Sequence, residues 1–220
     1  MRVLVVSPHP DDETLGAGGT ILKLIDEGND VYWLNITAML NERKFSKESI
    51  ERRELQLKDI EAFYGFTGSY HLKFSSTELE MIDSSEAIEI IGNIVKEIKP
   101  DMMILPDYND AHSDHAKVFE WCYACTKSFR FPFVKKIVTM EIVSETDFGR
   151  PNNPFVPNYY VDITGYVDKK IQAMQIYDTE LGEPPFPRSE ENIRALAVVR
   201  GATAGVRYAE AFRLIKYIEK

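Results

Sequence analysis

Three of the four histidines in this chain fall within two short acidic clusters. The first is Pro8-His9-Pro10-Asp11-Asp12-Glu13, and the second is Asp110-Ala111-His112-Ser113-Asp114-His115. Histidine and carboxylate side chains are the ligands preferred by a borderline metal such as Zn²⁺. A catalytic zinc takes three protein ligands and keeps one position open. A spare carboxylate beside it can act as a general base toward water, and a spare histidine can donate to a developing oxyanion. The two clusters together supply every one of these groups. Local spacing does not decide between Asp11 and Asp12 as ligand or base.

The elements around the clusters bring them together. Val3–Val6 is an apolar run of the kind buried in a parallel sheet, and the first cluster follows it directly. Met102–Leu105 is a second such run, and the second cluster follows it after a short loop. Between them the spacing predicts a helix over Gly16–Glu27, closed by Gly28 and Asn29, and a strand over Val31–Leu34. A loop over the site is expected at Thr37–Lys44. A charged helix should run from Ser46 to Tyr64 and stop at Gly65, followed by a short strand at Tyr70–Lys73. A further helix, Ser84–Lys99, has Ser84 or Ser85 as its cap. This βαβαβαβ order predicts an α/β fold, a Rossmann-like and mostly parallel sheet with helices on both faces. Parallel strands end on one side of the sheet, so the two cluster loops should meet there. Pro8 and Pro10 restrict the first loop, and Pro10 holds His9 extended.

Beyond residue 110 the pattern loosens. Helices are expected at Ala116–Phe129, Asp168–Tyr177 and Ser189–Arg200, and strands at Lys136–Val143 and Tyr159–Ile163. Residues 144–158 read as a loop, and Glu183-Pro184-Pro185-Phe186-Pro187 as rigid and non-helical. With no repeat, low-complexity tract or linker, residues 1–220 read as one domain. The chain is 44% hydrophobic and 28% charged, with a formal net charge of −9. That composition is that of a soluble globular protein. It offers no basic stripe for nucleic acid, no run long enough to span a membrane, and no secretory signal. A cytoplasmic location is therefore the expectation, with a small molecule as partner. A homo-oligomer is compatible with everything above.

The residues also carry a family resemblance. Ser7 to Glu13, followed by Gly16-Ala17-Gly18-Gly19-Thr20, resembles the start of the PIG-L/LmbE-like zinc de-N-acetylases. Arg53-Glu54-Leu55 ahead of Gly65, Pro106 to His115, Val161-Asp162-Ile163-Thr164, Lys169-Lys170 through Ala173, and Arg200-Gly201 to Phe212 are similar to further family segments, in the family's order. The resemblance implies that His9, Asp12 and His115 hold Zn²⁺, with Fe²⁺ able to take the same ligands. It implies Asp11 as general base, His112 as the group that polarises the carbonyl or stabilises the oxyanion, Asp114 as the residue orienting His112, and Arg53 as a substrate-contacting residue. The implied activity is removal of acetyl from an N-acetylated amino sugar of the N-acetylglucosamine type. Ser113 stands where many members have Pro. Tyr177-Asp178-Thr179-Glu180 departs from a His/Tyr-Lys/Arg-Ser-Gln pattern common in the family, so the sugar is not identified by the likeness.

Other readings compete. A sugar-binding protein could keep the metal and lose turnover, although it would need neither Asp11 nor His112. Trp121-Cys122-Tyr123-Ala124-Cys125 has the form of a thiol-disulfide oxidoreductase motif. A redox pair opens a helix, where the N-terminus lowers the thiol pKa, whereas this pair falls well inside a predicted helix and reads as two core cysteines. Gly16-Ala17-Gly18-Gly19 lacks dinucleotide-loop spacing and reads as close helix packing. His71, with no carboxylate near it in sequence, reads as a strand-end residue without a role.

Overall fold

In the computed structural model, which describes residues 1–40 and 44–219, the expected alternation is present and one strand is added. The elements run β1 (Arg2–Ser7), α1 (Asp12–Asp26), β2 (Asp30–Ala38), α2 (Lys47–Tyr64), β3 (Gly68–Ser75), α3 (Ser84–Ile98), β4 (Met102–Leu105), α4 (Ser113–Ala124), β5 (Lys136–Met140), β6 (Tyr159–Asp162), α5 (Val167–Ile176), α6 (Glu190–Ala204) and β7 (Ala209–Tyr217). Part of the loop expected at Thr37–Lys44, residues 41–43, lies outside the described residues.

The sheet has seven strands in the order β3-β2-β1-β4-β5-β7-β6. The first five are mutually parallel, and β7 is antiparallel to both β5 and β6. From β1 the chain winds outward through β2 and β3. It then crosses back to place β4 on the other side of β1. The switch point therefore lies between β1 and β4, where open α/β sheets form a crevice beyond the strand ends. Both clusters emerge there.

Alternation along the strands divides the apolar side chains between two layers. Val3 and Val5 join Ile21, Trp33, Ile104, Met174 and Phe212 on the face covered by α1 and α5. Leu4 and Val6 join Ile36, Ile91, Val95, Met103 and Trp121 under α3 and α4. Helix α1 starts at Asp12, not at Gly16 as the apolar spacing suggested. Its first turn carries Asp12 and Glu13, favourable at the positive end of the helix dipole, and this acidic turn hides the helix from a search for apolar periodicity. The glycines inside it permit close packing: a Cβ at Gly19 would stand 2.8 Å from Ile163, and one at Gly18 2.8 Å from the Tyr64 hydroxyl. Helix α3 is capped by Asp83, whose carboxylate accepts from the Ser85 and Glu86 N–H groups, and not by Ser84 or Ser85. Helix α4 spans Ser113–Ala124, earlier at both ends than the expected 116–129.

The unforeseen strand β7 ties the second half of the chain to the first. Glu210 on β7 is buried, and its carboxylate accepts from the Gly19 and Thr20 N–H groups at 2.9 and 2.7 Å and from Lys170 Nζ at 2.7 Å. A paired, fully hydrogen-bonded charge of this kind is the form in which a buried carboxylate is tolerated. No helix among the described residues is long and apolar enough to cross a membrane.

Candidate active site

The loop from β1 to α1 turns sharply at Asp11, whose φ of 127° lies in a region L-residues rarely adopt. Three hydrogen bonds hold it there. The Asp11 N–H donates to Glu13 Oε2 at 3.1 Å, and the Thr14 and Leu15 N–H groups donate to the Asp11 carbonyl at 3.0 and 2.8 Å. Glu13 is fully buried, and its other oxygen accepts from the Thr14 hydroxyl at 2.7 Å and the Tyr177 hydroxyl at 3.0 Å. Burial pushes its carboxyl up to about 7. The turn points Asp11 into the crevice while Asp12 begins the helix beside His9.

The loop after β4 brings the second cluster to the same place. His9, Asp12 and His115 each offer a ligand atom, and these atoms lie within 4.8 Å of one another. Asp12 Oδ2 stands 3.3 Å from His9 Nδ1 and 3.2 Å from His115 Nε2. His115 Nε2 is nevertheless buried without a hydrogen-bond partner. An orphaned imidazole nitrogen facing a carboxylate and a second imidazole is the donor set a divalent cation would complete. The opposite nitrogens are already engaged. His115 Nδ1 bonds Asp110 Oδ2 at 2.8 Å, and His9 Nε2 bonds Asp114 Oδ2 at 3.1 Å. Such outer carboxylates fix the tautomer and ring orientation of a ligating histidine. A second grouping, His9, His112 and Asp114, is equally compact. It fits a metal less well, since Asp114 Oδ2 already accepts from His9 and from the Thr77 N–H at 2.8 Å.

His112 and Asp114 are related otherwise than expected. His112 is the N-cap of α4, its Nδ1 accepting the Asp114 backbone N–H at 3.1 Å, whereas the Asp114 carboxylate is 4.0 Å from that nitrogen and serves His9. The backbone of residue 114, not its side chain, thus sets the His112 ring. With Nδ1 accepting, the proton of a neutral His112 resides on Nε2. Burial and the charges of His9 and His115 push His112 down to about 4, so it is neutral.

Without a cation, the two pocket imidazoles are basic. Burial opposes charge on His9, but its hydrogen bonds to Asp114 and Asp12 prevail and raise it to about 9. At His115 the charge of Asp12 and the bond to Asp110 likewise overcome burial and raise it to about 10. Asp12 shows the reverse: burial would raise it, but the charges of His115 and His9 beside it hold it well below the usual carboxylate range. Asp11 is raised well above that range by burial and by the charge of Asp12.

Three contributors escaped sequence reasoning: Glu145, Arg188, and Asp110 as the partner of His115. Glu180 lies in the segment whose departure from the family pattern bears on the sugar, but was given no role of its own. Arg188 Nη1 lies 2.9 Å from both Asp11 Oδ2 and Glu180 Oε2, and its Nε donates to Ser144 Oγ at 2.9 Å. The proline-rich segment before it is non-helical, as its composition dictates, and delivers Arg188 to the crevice. Arg53 is buried; its Nη1 donates to the Pro10 carbonyl at 2.8 Å and its Nη2 pairs with Glu180. It lines the cleft while bracing the His9-Pro10 loop. The cleft has a volume of about 190 Å³ and is walled by Met39, Phe45, Ser76 and these charged residues. Next to it, across Arg53, lies a second hollow of about 380 Å³ bordered by His71. His71 is not without partners: its Nε2 contacts Glu61 at 2.8 Å and its ring stands edge-on to Trp33. Cys122 and Cys125 are free thiols, buried at the C-terminal end of α4, and burial pushes both up, opposite to what a redox pair needs.

A doubly wound sheet with a His-Asp-His pocket over its switch point defines an α/β protein built around a crevice whose side chains could hold a metal. Residues 4–126 match the PIG-L family, described as GlcNAc-PI de-N-acetylase, and the chain belongs to that family. It is 26% identical over 231 residues to a diacetylchitobiose deacetylase of Thermococcus kodakarensis, covering 97% of this chain and 83% of the relative. It is 34% identical over 123 residues to a probable N-acetyl-alpha-D-glucosaminyl L-malate deacetylase 2 of Bacillus cereus, covering 52% of this chain and 56% of that one. In fold it is similar to an N,N'-diacetylchitobiose deacetylase from Pyrococcus horikoshii, with a TM-score of 0.76 and 24% identity over 98% of this chain and 84% of the other.

Proposed function

We propose that this protein is a zinc-dependent hydrolase that removes the acetyl group from an N-acetylglucosamine-type sugar or its conjugate. The observation that carries this reading is the placement of Asp11. Its carboxylate faces the cleft beside the His-Asp-His pocket, is not one of the three grouped ligands, and is held by Arg188. Deacetylases among the relatives support the same reading.

His9 through Nδ1, Asp12 through its carboxylate and His115 through Nε2 would hold the cation. Zinc bound there would act as a Lewis acid and lower the pKa of a water toward neutrality. Asp11 accepts the proton of the attacking water. Its raised pKa makes it a stronger base than an ordinary carboxylate, as a general base near neutral pH requires. Arg188 fixes the rotamer of Asp11 while leaving its other oxygen free of that contact. His112, neutral and protonated on Nε2, donates to the acetyl oxygen as negative charge develops there; one such donor is worth about 3–4 kcal/mol. Acetate and a free amine leave once the nitrogen has gained a proton from Asp11, which took one from the water, or from His112 Nε2. Arg53 keeps the His9-Pro10 loop in place and forms part of the cleft wall.

Replacing Asp11 with Asn tests the assignment. The variant should bind zinc stoichiometrically, while kcat for amine release from an N-acetylated sugar falls by about 10² or more. Zinc binding together with near wild-type turnover would refute the role of Asp11.

A further inference from the structure

Glu180 sits in the short 3₁₀ turn Asp178–Glu180, in the segment where the sequence departs from its family's pattern. The turn is fastened to α2. Arg52 pairs with Asp178, Gln56 Nε2 donates to Asp178 Oδ1 at 3.0 Å, and Arg53 pairs with Glu180 Oε1. The second oxygen of Glu180 receives Arg188 Nη1 at 2.9 Å. One carboxylate therefore spans both guanidinium groups that line the cleft.

The remaining contacts of those guanidiniums are also internal. Arg53 has the Pro10 carbonyl, and Arg188 has Asp11 and Ser144, with Glu145 Oε1 at 3.6 Å. The described residues lining the cleft include no lysine. The carboxylates lining it are Asp11, Asp12, Glu145 and Glu180, against Arg53 and Arg188. With the histidines neutral, as metal ligands must be, that is an excess of two negative charges, which one divalent cation would cancel. A cleft that binds an anionic group leaves a guanidinium free to form a bidentate pair with it. Here that position is filled by the protein's own carboxylate, and a second anion would meet the like charge of Glu180 at close range.

We infer that Glu180 is a specificity residue that excludes N-acetylated sugars bearing a carboxylate or phosphate and reserves the cleft for uncharged ones. This inference rests on the deacetylase reading above and adds a substrate class to it. An uncharged sugar would find the apolar side chains of Met39 and Phe45 and the hydroxyl of Ser76, none of which requires a counter-charge.

The test compares kcat/KM of the zinc-loaded full chain for N,N'-diacetylchitobiose, an uncharged substrate, with that for the L-malate conjugate of N-acetylglucosamine. Wild type, Glu180→Gln and Glu180→Ala are measured. Wild type should favour the uncharged sugar by about tenfold or more, and both variants should move the ratio toward the malate conjugate by about tenfold. A structural role for Glu180 would depress both substrates alike. An unchanged ratio, or a wild type that prefers the malate conjugate, overturns the inference. If no form releases amine, the deacetylase reading fails separately, and titration with free L-malate and inorganic phosphate still decides the point. Glu180→Gln must then bind either anion about tenfold more tightly than wild type; equal affinity overturns it.

Discussion

Metal binding to this protein should release about two protons at neutral pH. The perturbation is removal and return of zinc, and the magnitude follows from the pocket imidazoles. His9 is raised to about 9 and His115 to about 10, so in the stripped protein each ring holds a proton at pH 7. Each must lose it before His9 Nδ1 and His115 Nε2 can act as ligands. Asp12 is held below the usual carboxylate range and contributes none. At pH 7 the proton costs about two decades of affinity at His9 and about three at His115, about five together. Between pH 6 and 8 the apparent Kd should fall about a hundredfold per pH unit. Calorimetric titration of zinc into chelator-stripped protein, in buffers of different ionisation enthalpy, counts the protons directly. A count near zero would mean that the rings are neutral without metal and would refute the reasoning. The same groups govern the stability of the stripped form. Their folded pKa values lie above the unfolded value of about 6.5, so their contribution is complete below about 6.5 and is lost as pH rises through 9 and 10. The Tm of stripped protein should therefore decline in that alkaline range.

Two further outcomes follow from neighbouring residues. Asp110→Ala removes the carboxylate behind His115, so zinc affinity measured by competition with a chelating dye should fall about 10–100-fold, while affinity within twofold of wild type would deny that carboxylate its role. Gly201→Ala places a Cβ 2.6 Å from the Arg207 carbonyl oxygen, a backbone atom that cannot swing aside. The cost should be about 1–3 kcal/mol, read as a fall in Tm of about 2–10 °C; an unchanged Tm would show that the α6–β7 turn adapts freely.

What could be read from the sequence was whatever the chain keeps contiguous. β1, β2 and β4 each contain an apolar run, and the order of β1 and β4 places His9 and His115 at one end of the sheet. The ligand candidates were visible because each follows its strand within ten residues. β7 was not, because Glu210, Arg213 and Lys216 interrupt its apolar character, and only the structure shows Glu210 neutralised by α1 and Lys170. Arg188 and Glu180 carry no spacing signal. They reach the cleft from a proline-rich loop and a short turn; the departure at Tyr177–Glu180 draws attention to that segment, but nothing in the sequence ties either residue to Asp11. Asp110 was in view within its cluster, but its pairing with His115 depends on a loop path that periodicity does not encode.

The place of β7 has a consequence for how the molecule comes into being. The three candidate ligands all lie within the first 115 residues, and so would be synthesised early. Yet β7 lies between β5 and β6 in the finished sheet, and its Glu210 clasps the helix that carries Asp12. On the ribosome, the half of the chain that bears the chemistry must therefore wait for its last strand. Until that strand emerges, β5 has an open edge and the N–H groups of Gly19 and Thr20 lack their carboxylate.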